Sequence, residues 1–388
     1  MTFCGGFQIH LIRLMNRDVL QLQFFIIQNV IDSTKHFQYA LQWHGNNAFH
    51  SSQEAVNLTP GNIRPEGKRP QLLITSRNMP GRTDYDLCLA GILFRYYSRM
   101  KKYAAFMIRR ISADGTVKKG QSYGEWAEPA EVYPNDWKDT ILPHPEVSTA
   151  YTAYVLGVMA EISEAVRKND DAAHFRACSE KCRKAYQKLA KLDTDRQALL
   201  VRPLFMGLLD EEQSRFAKER LLKALENYGW RLGTGFLSTP LILSVLDKID
   251  IEAAYRLLEN EEMPGWLFMP KNGATTIWES WEGTHAQGGI ASLNHYSKGA
   301  VCEWLFRTMC GIQVAGKNHF VIAPRPGGHF THAQASYKSI YGEVQSGWNR
   351  SNTETTYSIT IPANCTAEII LPGKEPKRVS AGTYTIED

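Results

Sequence analysis

The sequence predicts a mainly α-helical protein closed by a small β-sandwich. Two observations predict this. Apolar residues recur at intervals of three and four from Asp84 to about Gly311, and the period then drops to two. A third observation concerns function. The connections between the helical segments are rich in Gly, Trp and acidic residues, which places working loops at one end of a set of helical hairpins.

The elements can be justified in order. Leu89, Leu93, Tyr96, Tyr97 and Met100 share one helical face. Val147, Tyr151, Tyr154, Val155, Val158, Met159 and Ile162 make a second stripe, and Ala172, Phe175, Cys178, Cys182, Ala185 and Leu189 a third. Phe216, Ala217, Leu221, Ala224 and Leu225 give a fourth. Ser238-Thr239-Pro240 reads as an N-cap with proline in the first turn, opening a helix over 241–246. Asp250 reads as the cap of the next, and a last helix holding Ala300, Val301, Trp304 and Leu305 ends near Gly311. Beyond it, Tyr357, Ile359 and Ile361, then Ala367, Ile369 and Leu371, alternate with polar residues. Turns are marked at 324–328, 362–364 and 372–373. The predicted domains are 83–313 and 314–388. Residues 1–82 are a poorly defined segment: 1–45 carry a weak apolar pattern, and 51–82 have the Pro and Gly content of a linker.

Composition excludes several classes. The chain has 388 residues, 44 basic and 40 acidic groups and a net charge of +4, too balanced to argue for a nucleic-acid partner. No apolar run is long enough for a membrane span, and the most apolar early stretch carries Arg13, Arg17 and Asp18. With no export signal the chain reads as cytoplasmic, unless its native N-terminus is missing. Seven scattered cysteines are not a disulfide framework, and Cys178 and Cys182 lack companions for a zinc site. No phosphate loop or nucleophile elbow is present, and no cofactor is called for.

Nine Trp are present, six of them between 126 and 281 and mostly in connections. Two clusters set carboxylates between Trp residues beside glycines: Tyr123-Gly124-Glu125-Trp126-Ala127-Glu128, with Asp136-Trp137 after it, and Thr276-Ile277-Trp278-Glu279-Ser280-Trp281-Glu282-Gly283, with Asn294-His295-Tyr296 after it. A single Glu beside a Trp is usually a solvated surface group, and Glu128, Asp136 and Glu282 are assigned to that class. A lone His is more often a structural hydrogen-bonder, and Arg325 between two prolines is read as structural. As a set, the clusters suit sugars, whose C–H faces stack on indole and whose hydroxyls need carboxylates and imidazole. Glycosidic cleavage requires two carboxyl groups around one bond, one protonating the leaving oxygen and one activating water or attacking directly.

Four ordered segments carry a resemblance: Gly235-Phe236-Leu237-Ser238-Thr239-Pro240-Leu241, Pro264-Gly265-Trp266-Leu267-Phe268-Met269, Gly273 to Trp281, and Leu293-Asn294-His295-Tyr296. Together they resemble the bacterial α-L-rhamnosidases, six-hairpin glycosidases with an (α/α)6 barrel and a C-terminal β-sandwich. Tyr123-Gly124-Glu125-Trp126 is similar to that family's Gly-Asp-Trp loop, and the likeness covers about 84–388. The resemblance implies hydrolysis of terminal L-rhamnose with inversion and Glu279 as general base. It also implies Trp278 and Trp281 as subsite walls, His295 on sugar hydroxyls, and Glu125 and Trp126 on the opposite side. The partner it implies is a rhamnose-containing glycoside.

Two departures stand out. The family's general acid lies in a loop resembling Cys-Pro-Gln-Arg-x-Glu-Arg, which this sequence lacks; Glu66 and Glu128 are the substitutes considered. Where the family has a connecting loop, the chain runs straight from Tyr97 through Met100 to Tyr103. The expectation is therefore a truncated, incomplete barrel. Its alternative function is a catalytically impaired remnant that binds rhamnose. A scaffold for protein partners is a third reading, disfavoured by the Trp/Glu loops and by the lack of a sequence repeat.

Overall fold

A computed structural model describes residues 84–119, 123–133, 143–285, 291–316, 318–351 and 354–388. The segment 1–82, Glu66 within it, and Asp136 and Trp137 lie outside the described residues.

Among the described residues ten α-helices precede the strands. The first three are α1 (Asp84–Ile108), α2 (Pro145–Ala165) and α3 (Asn169–Leu189). α4 (Gln197–Met206) and α5 (Glu211–Asn227) follow, then α6 (Ile242–Leu246), α7 (Ile251–Leu258), α8 (Phe268–Lys271), α9 (Tyr296–Gly299) and α10 (Val301–Trp304). α10 runs on into a π turn over Leu305–Met309. α1 is continuous through Tyr97–Met100, as the missing loop predicts. Its Tyr97 hydroxyl donates to Asp171 at the start of α3 (2.7 Å) and lies 2.8 Å from the Ser163 hydroxyl of α2. Tyr97, Ala104, Leu156, Met159 and Phe175 close a small core among these three helices.

α5 opens on a capping box, in which Asp210 accepts from the Gln213 amide. Asp250 caps α7 as predicted, accepting from the Glu252 amide at 2.9 Å. The cap assigned to Ser238 is not formed. α6 begins at Ile242, and the Ser238 amide and hydroxyl are instead both spent on Glu125. α4 carries no helical period in the sequence, because Ala198, Leu200, Val201 and Pro203 are buried on several sides.

Gly311 ends the helical part with φ +78°, and a Cβ there would lie 2.1 Å from the Pro324 nitrogen. Only glycine fits both the left-handed turn and this approach. Eight strands then form two four-stranded sheets. β1 (Ile312–Val314), β2 (His319–Ile322), β6 (Thr366–Ile369) and β7 (Lys377–Val379) are ordered β1-β2-β6-β7, with β2 and β6 parallel. The antiparallel second sheet is β3 (His332–Ser339), β4 (Gly342–Arg350), β5 (Thr355–Ile361) and β8 (Gly382–Glu387) in that order. Phe320, Ile322, Ala367 and Ile369 from one sheet and Val344, Trp348, Tyr357 and Ile359 from the other are buried in one core. That core continues into the helices. Trp348 Nε1 donates to the Met309 carbonyl (2.9 Å) and the Ser346 hydroxyl to Cys310 (2.6 Å). Arg325 is structural as read: its guanidinium donates to the Asp247 carbonyl, and its own carbonyl accepts from Tyr255.

Candidate functional site

Three loops meet at one end of the later helices. The first, 123–128, turns at Gly124 (φ +59°), where a Cβ would strike the His144 ring. Glu125 points inward and is buried. Its Oε1 accepts from the Ser238 amide (2.7 Å), and its Oε2 from the Ser238 hydroxyl (2.9 Å) and Arg202 Nη2 (2.5 Å). Arg202, fully buried on α4, gives its other terminal nitrogen to Glu146, which also accepts from Tyr186. Glu128 is buried as well and grips Arg196 with both oxygens, so its assignment to the surface is corrected. Burial pushes its carboxyl up against the pull of Arg196. Trp126 is half-buried with Tyr123 edge-on to it at 5.8 Å; Tyr123 is 61% exposed.

The second loop, 233–240, bridges the other two. The Phe236 amide donates to the Trp126 carbonyl (2.8 Å). A Cβ on Gly235 would come within 2.3 Å of that same carbonyl, so the contact needs a glycine. On its other side Phe236 lies against His295, ring centroids 4.4 Å apart, and its carbonyl accepts from the Ser297 hydroxyl.

The third loop carries Glu279. Its amide donates to the Ser292 carbonyl (2.8 Å), and the Ser292 amide donates back to Glu279 Oε2 (2.9 Å). This reciprocal pair fixes the half-exposed carboxylate. Among the described residues, Oε1 of Glu279 accepts no hydrogen bond. His295 is half-buried, stacks on Tyr296 at 4.8 Å, and is held below the ordinary imidazole range by burial, with Glu279 opposing and Lys298 assisting. Trp278 and Trp281, expected as subsite walls, are 4% and 5% exposed. Trp278 packs against Gly283 so closely that a Cβ there would lie 2.1 Å from its ring. Trp281 turns a face to the Lys298 ammonium at 3.7 Å.

The structure thus brings Trp126, Phe236, His295 and Glu279 together through one bridging loop. It sets the Glu125 carboxylate into the interior behind them. Three participants had no assignment from sequence: Phe236, Lys298 and the exposed Tyr296. Lys298 carried a signal. It stands at a buried position just ahead of the buried Val301 and Trp304, where an apolar residue would ordinarily be expected. Among the described residues no group of three or more His, Cys, Asp or Glu could hold a metal, and no helix is long and apolar enough to cross a membrane.

Residues 90–309 match the bacterial α-L-rhamnosidase six-hairpin glycosidase domain, and residues 312–385 match the α-L-rhamnosidase C-terminal domain. The chain belongs to the bacterial α-L-rhamnosidase family. An α-L-rhamnosidase of Streptomyces avermitilis is 33% identical over 287 residues, 70% of this chain and 27% of that protein. One of Formosa agariphila is 33% identical over 296 residues, 73% of this chain and 32% of that protein. The chain therefore spans about a third or less of these relatives. Among solved structures, the Streptomyces avermitilis α-L-rhamnosidase complexed with L-rhamnose superposes with a TM-score of 0.66 and 26% identity, over 77% of this chain and 31% of that one. The α-L-rhamnosidase of Aspergillus terreus gives 0.61 and 26%, over 68% and 33%. In this α-L-rhamnosidase-family chain, the six-hairpin helices and the sandwich supply the rigid frame. Among the described residues, the three loops bring Glu279, His295 and Trp126 to this end.

Proposed function

We propose that this chain hydrolyses terminal α-L-rhamnosides with inversion at the anomeric carbon: Glu279 takes a proton from the attacking water, and the glycosidic bond breaks with its electron pair on the leaving oxygen, which takes a proton from solvent. The observation that carries the reading is the state of Glu279. One oxygen is fixed by the Ser292 amide while Oε1 has no donor among the described residues, at a half-exposed position beside His295. A base needs that combination of held orientation and open lone pair. His295, kept neutral by burial, and the Trp126–Tyr123 pair offer a hydrogen-bonding edge and an apolar face for the deoxyhexose. Trp278 and Trp281 support the loop from behind rather than stacking openly on sugar. Glu125 anchors Ser238 and so positions the bridging loop instead of touching substrate.

The test is release of L-rhamnose from an aryl α-L-rhamnoside, with the first-formed anomer followed by proton NMR. Inversion requires the β-anomer first. Glu279→Gln keeps an acceptor for the Ser292 amide but cannot take a proton, and the expected loss in kcat is about 10²–10⁴-fold. Full activity in that variant would remove Glu279 from the mechanism.

A second reading is favoured by one observation, the lack of the acid-loop motif in the sequence. Glu128 is an unfavourable substitute, because its buried carboxylate is already committed to Arg196. On this reading the chain binds rhamnose without turnover. Calorimetry would then show heat at millimolar L-rhamnose while the aryl glycoside stays intact.

A further inference from the structure

Lys298 is 1% exposed and makes no ion pair within 4 Å among the described residues. Its ammonium donates to the main-chain carbonyl of Glu279 (2.5 Å) and sits 3.7 Å from the Trp281 ring centroid and 6.0 Å from that of Phe236. The backbone that carries it is held too, since Trp266 Nε1 donates to the Lys298 carbonyl at 3.0 Å. A charge buried in an aromatic cage is costly, and a Met of similar length would fill the same space without that cost. The ammonium reaches Glu279, whose carboxylate keeps one oxygen without a donor among the described residues, through that residue's own backbone.

We infer that Lys298 is the positioning residue of this site: by clamping the Glu279 carbonyl against the face of Trp281 it sets where the Glu279 carboxylate points. The inference rests on the hydrolase reading for its effect on rate, but not for the clamp itself. The clamp is charge-dependent, because a protonated amine makes a stronger hydrogen bond to a carbonyl and alone makes a cation–π contact. Burial pushes the Lys298 amine down to about 7, with Glu282 and Glu279 opposing. The other titratable group facing it is His295, which burial holds below its ordinary range. The clamp is therefore closed below about pH 7 and loosens above it.

The test compares the full chain with Lys298→Met and Lys298→Arg. In the wild-type protein kcat on an aryl α-L-rhamnoside should fall above about pH 7. Lys298→Arg should carry activity at least one pH unit higher. Lys298→Met should lose the alkaline limb, with kcat down by about 10²-fold from a misplaced base. Its affinity for L-rhamnose by calorimetry should change less than threefold. An unchanged alkaline limb in Lys298→Met, or an equal loss of kcat and rhamnose affinity that Lys298→Arg does not relieve, overturns the inference. A second readout needs no turnover. Indole fluorescence should show a step near pH 7 that disappears in Lys298→Met, in the permanently charged Lys298→Arg and in Trp281→Phe. If the wild-type chain releases no rhamnose at any pH but shows this step, the hydrolase reading fails and the clamp stands. If the step persists in Lys298→Met, the clamp fails.

Discussion

At the scale of single residues, the interior of this protein is decided by Arg202. It is the shared cation for Glu125 and Glu146, and its side chain and that of Glu125 are wholly withdrawn from water. Removing one partner from a buried charge cluster leaves the others desolvated and unpaired, a loss of about 3–5 kcal/mol. Arg202→Met should therefore lower unfolding stability by that amount in urea titration. Arg202→Lys should recover only part of it, because one ammonium cannot reproduce a fork that addresses two carboxylates at once. A change below 1 kcal/mol in Arg202→Met would mean that the cluster contributes nothing net. This residue pattern was only half legible in sequence. The Glu125 loop was identifiable from its Gly and Trp neighbours, whereas spacing alone did not show that it meets the second loop cluster. The inward turn of its carboxylate was not, since the partner Arg202 lies 77 positions away on a helix with no readable period. The same limit applies to Trp278 and Trp281. Their position in the motif can be read, but whether an indole faces solvent or core depends on close approaches such as that of Gly283.

At the scale of elements, legibility followed amphipathicity. α3 and α5 each bury one stripe, and their residues were apparent from spacing alone; α2 was found by its apolar spacing but is buried on more than one side, Thr149 to Ala153 without a break. α4 escaped because it is buried on several sides and holds Pro203 in its interior. β5 was apparent because Tyr357, Ile359 and Ile361 all face the core. β3 escaped because it is an edge strand with a single fully buried residue, Ala335, so its sequence alternates weakly. Caps divide in the same way. Asp250 and Asp210 make their local bonds, whereas Ser238 is recruited by a carboxylate distant in sequence, which outweighs one local cap. α5 gives a clean measurement of a local contribution, because its capping box is on the surface. Asp210→Ala should cost about 1 kcal/mol, read as a lowered melting temperature, and should leave any rhamnose binding unaltered. Loss of binding in that variant would show that α5 reaches the loop end of the molecule.

At the scale of the whole molecule, the buried charges set how stability depends on pH. Glu128 and Glu303 are both pushed up by burial, so the folded protein holds these protons more tightly than the unfolded chain. Their contribution is present below the ordinary carboxylate range and is lost as pH rises toward neutrality. Lys298 acts in the opposite sense. Burial pushes it down to about 7 from an ordinary value of 10.5, so the unfolded chain binds its proton more tightly throughout that window. Its cost to folding is full below about pH 7 and is relieved as pH rises toward 10.5. His295, held low by burial, opposes the carboxyls weakly on the acid side. Above pH 10 the buried tyrosines, Tyr186 and Tyr255 among them, turn the curve down again, since burial disfavours their ionisation. Among these buried groups the sum is a minimum of stability near neutrality; below the ordinary carboxylate range the ion-paired Asp171 and Asp195, held low by Lys101 and Arg220, turn the curve down as they take up protons. The amplitude on the alkaline side is on the order of 5 kcal/mol, from a shift of this size at about 1.4 kcal/mol per pH unit. Melting temperatures from pH 6 to 10 should therefore rise through the alkaline half for the wild-type chain and stay flat for Lys298→Met, whose thioether fills the cage without a charge. At pH 6 the variant should be the more stable of the two while being the slower catalyst, the expected signature of a charge retained for function at the expense of folding. If Lys298→Met melts lower than wild type at pH 6, the ammonium is instead a net structural contributor, and the aromatic cage around it is a source of stability.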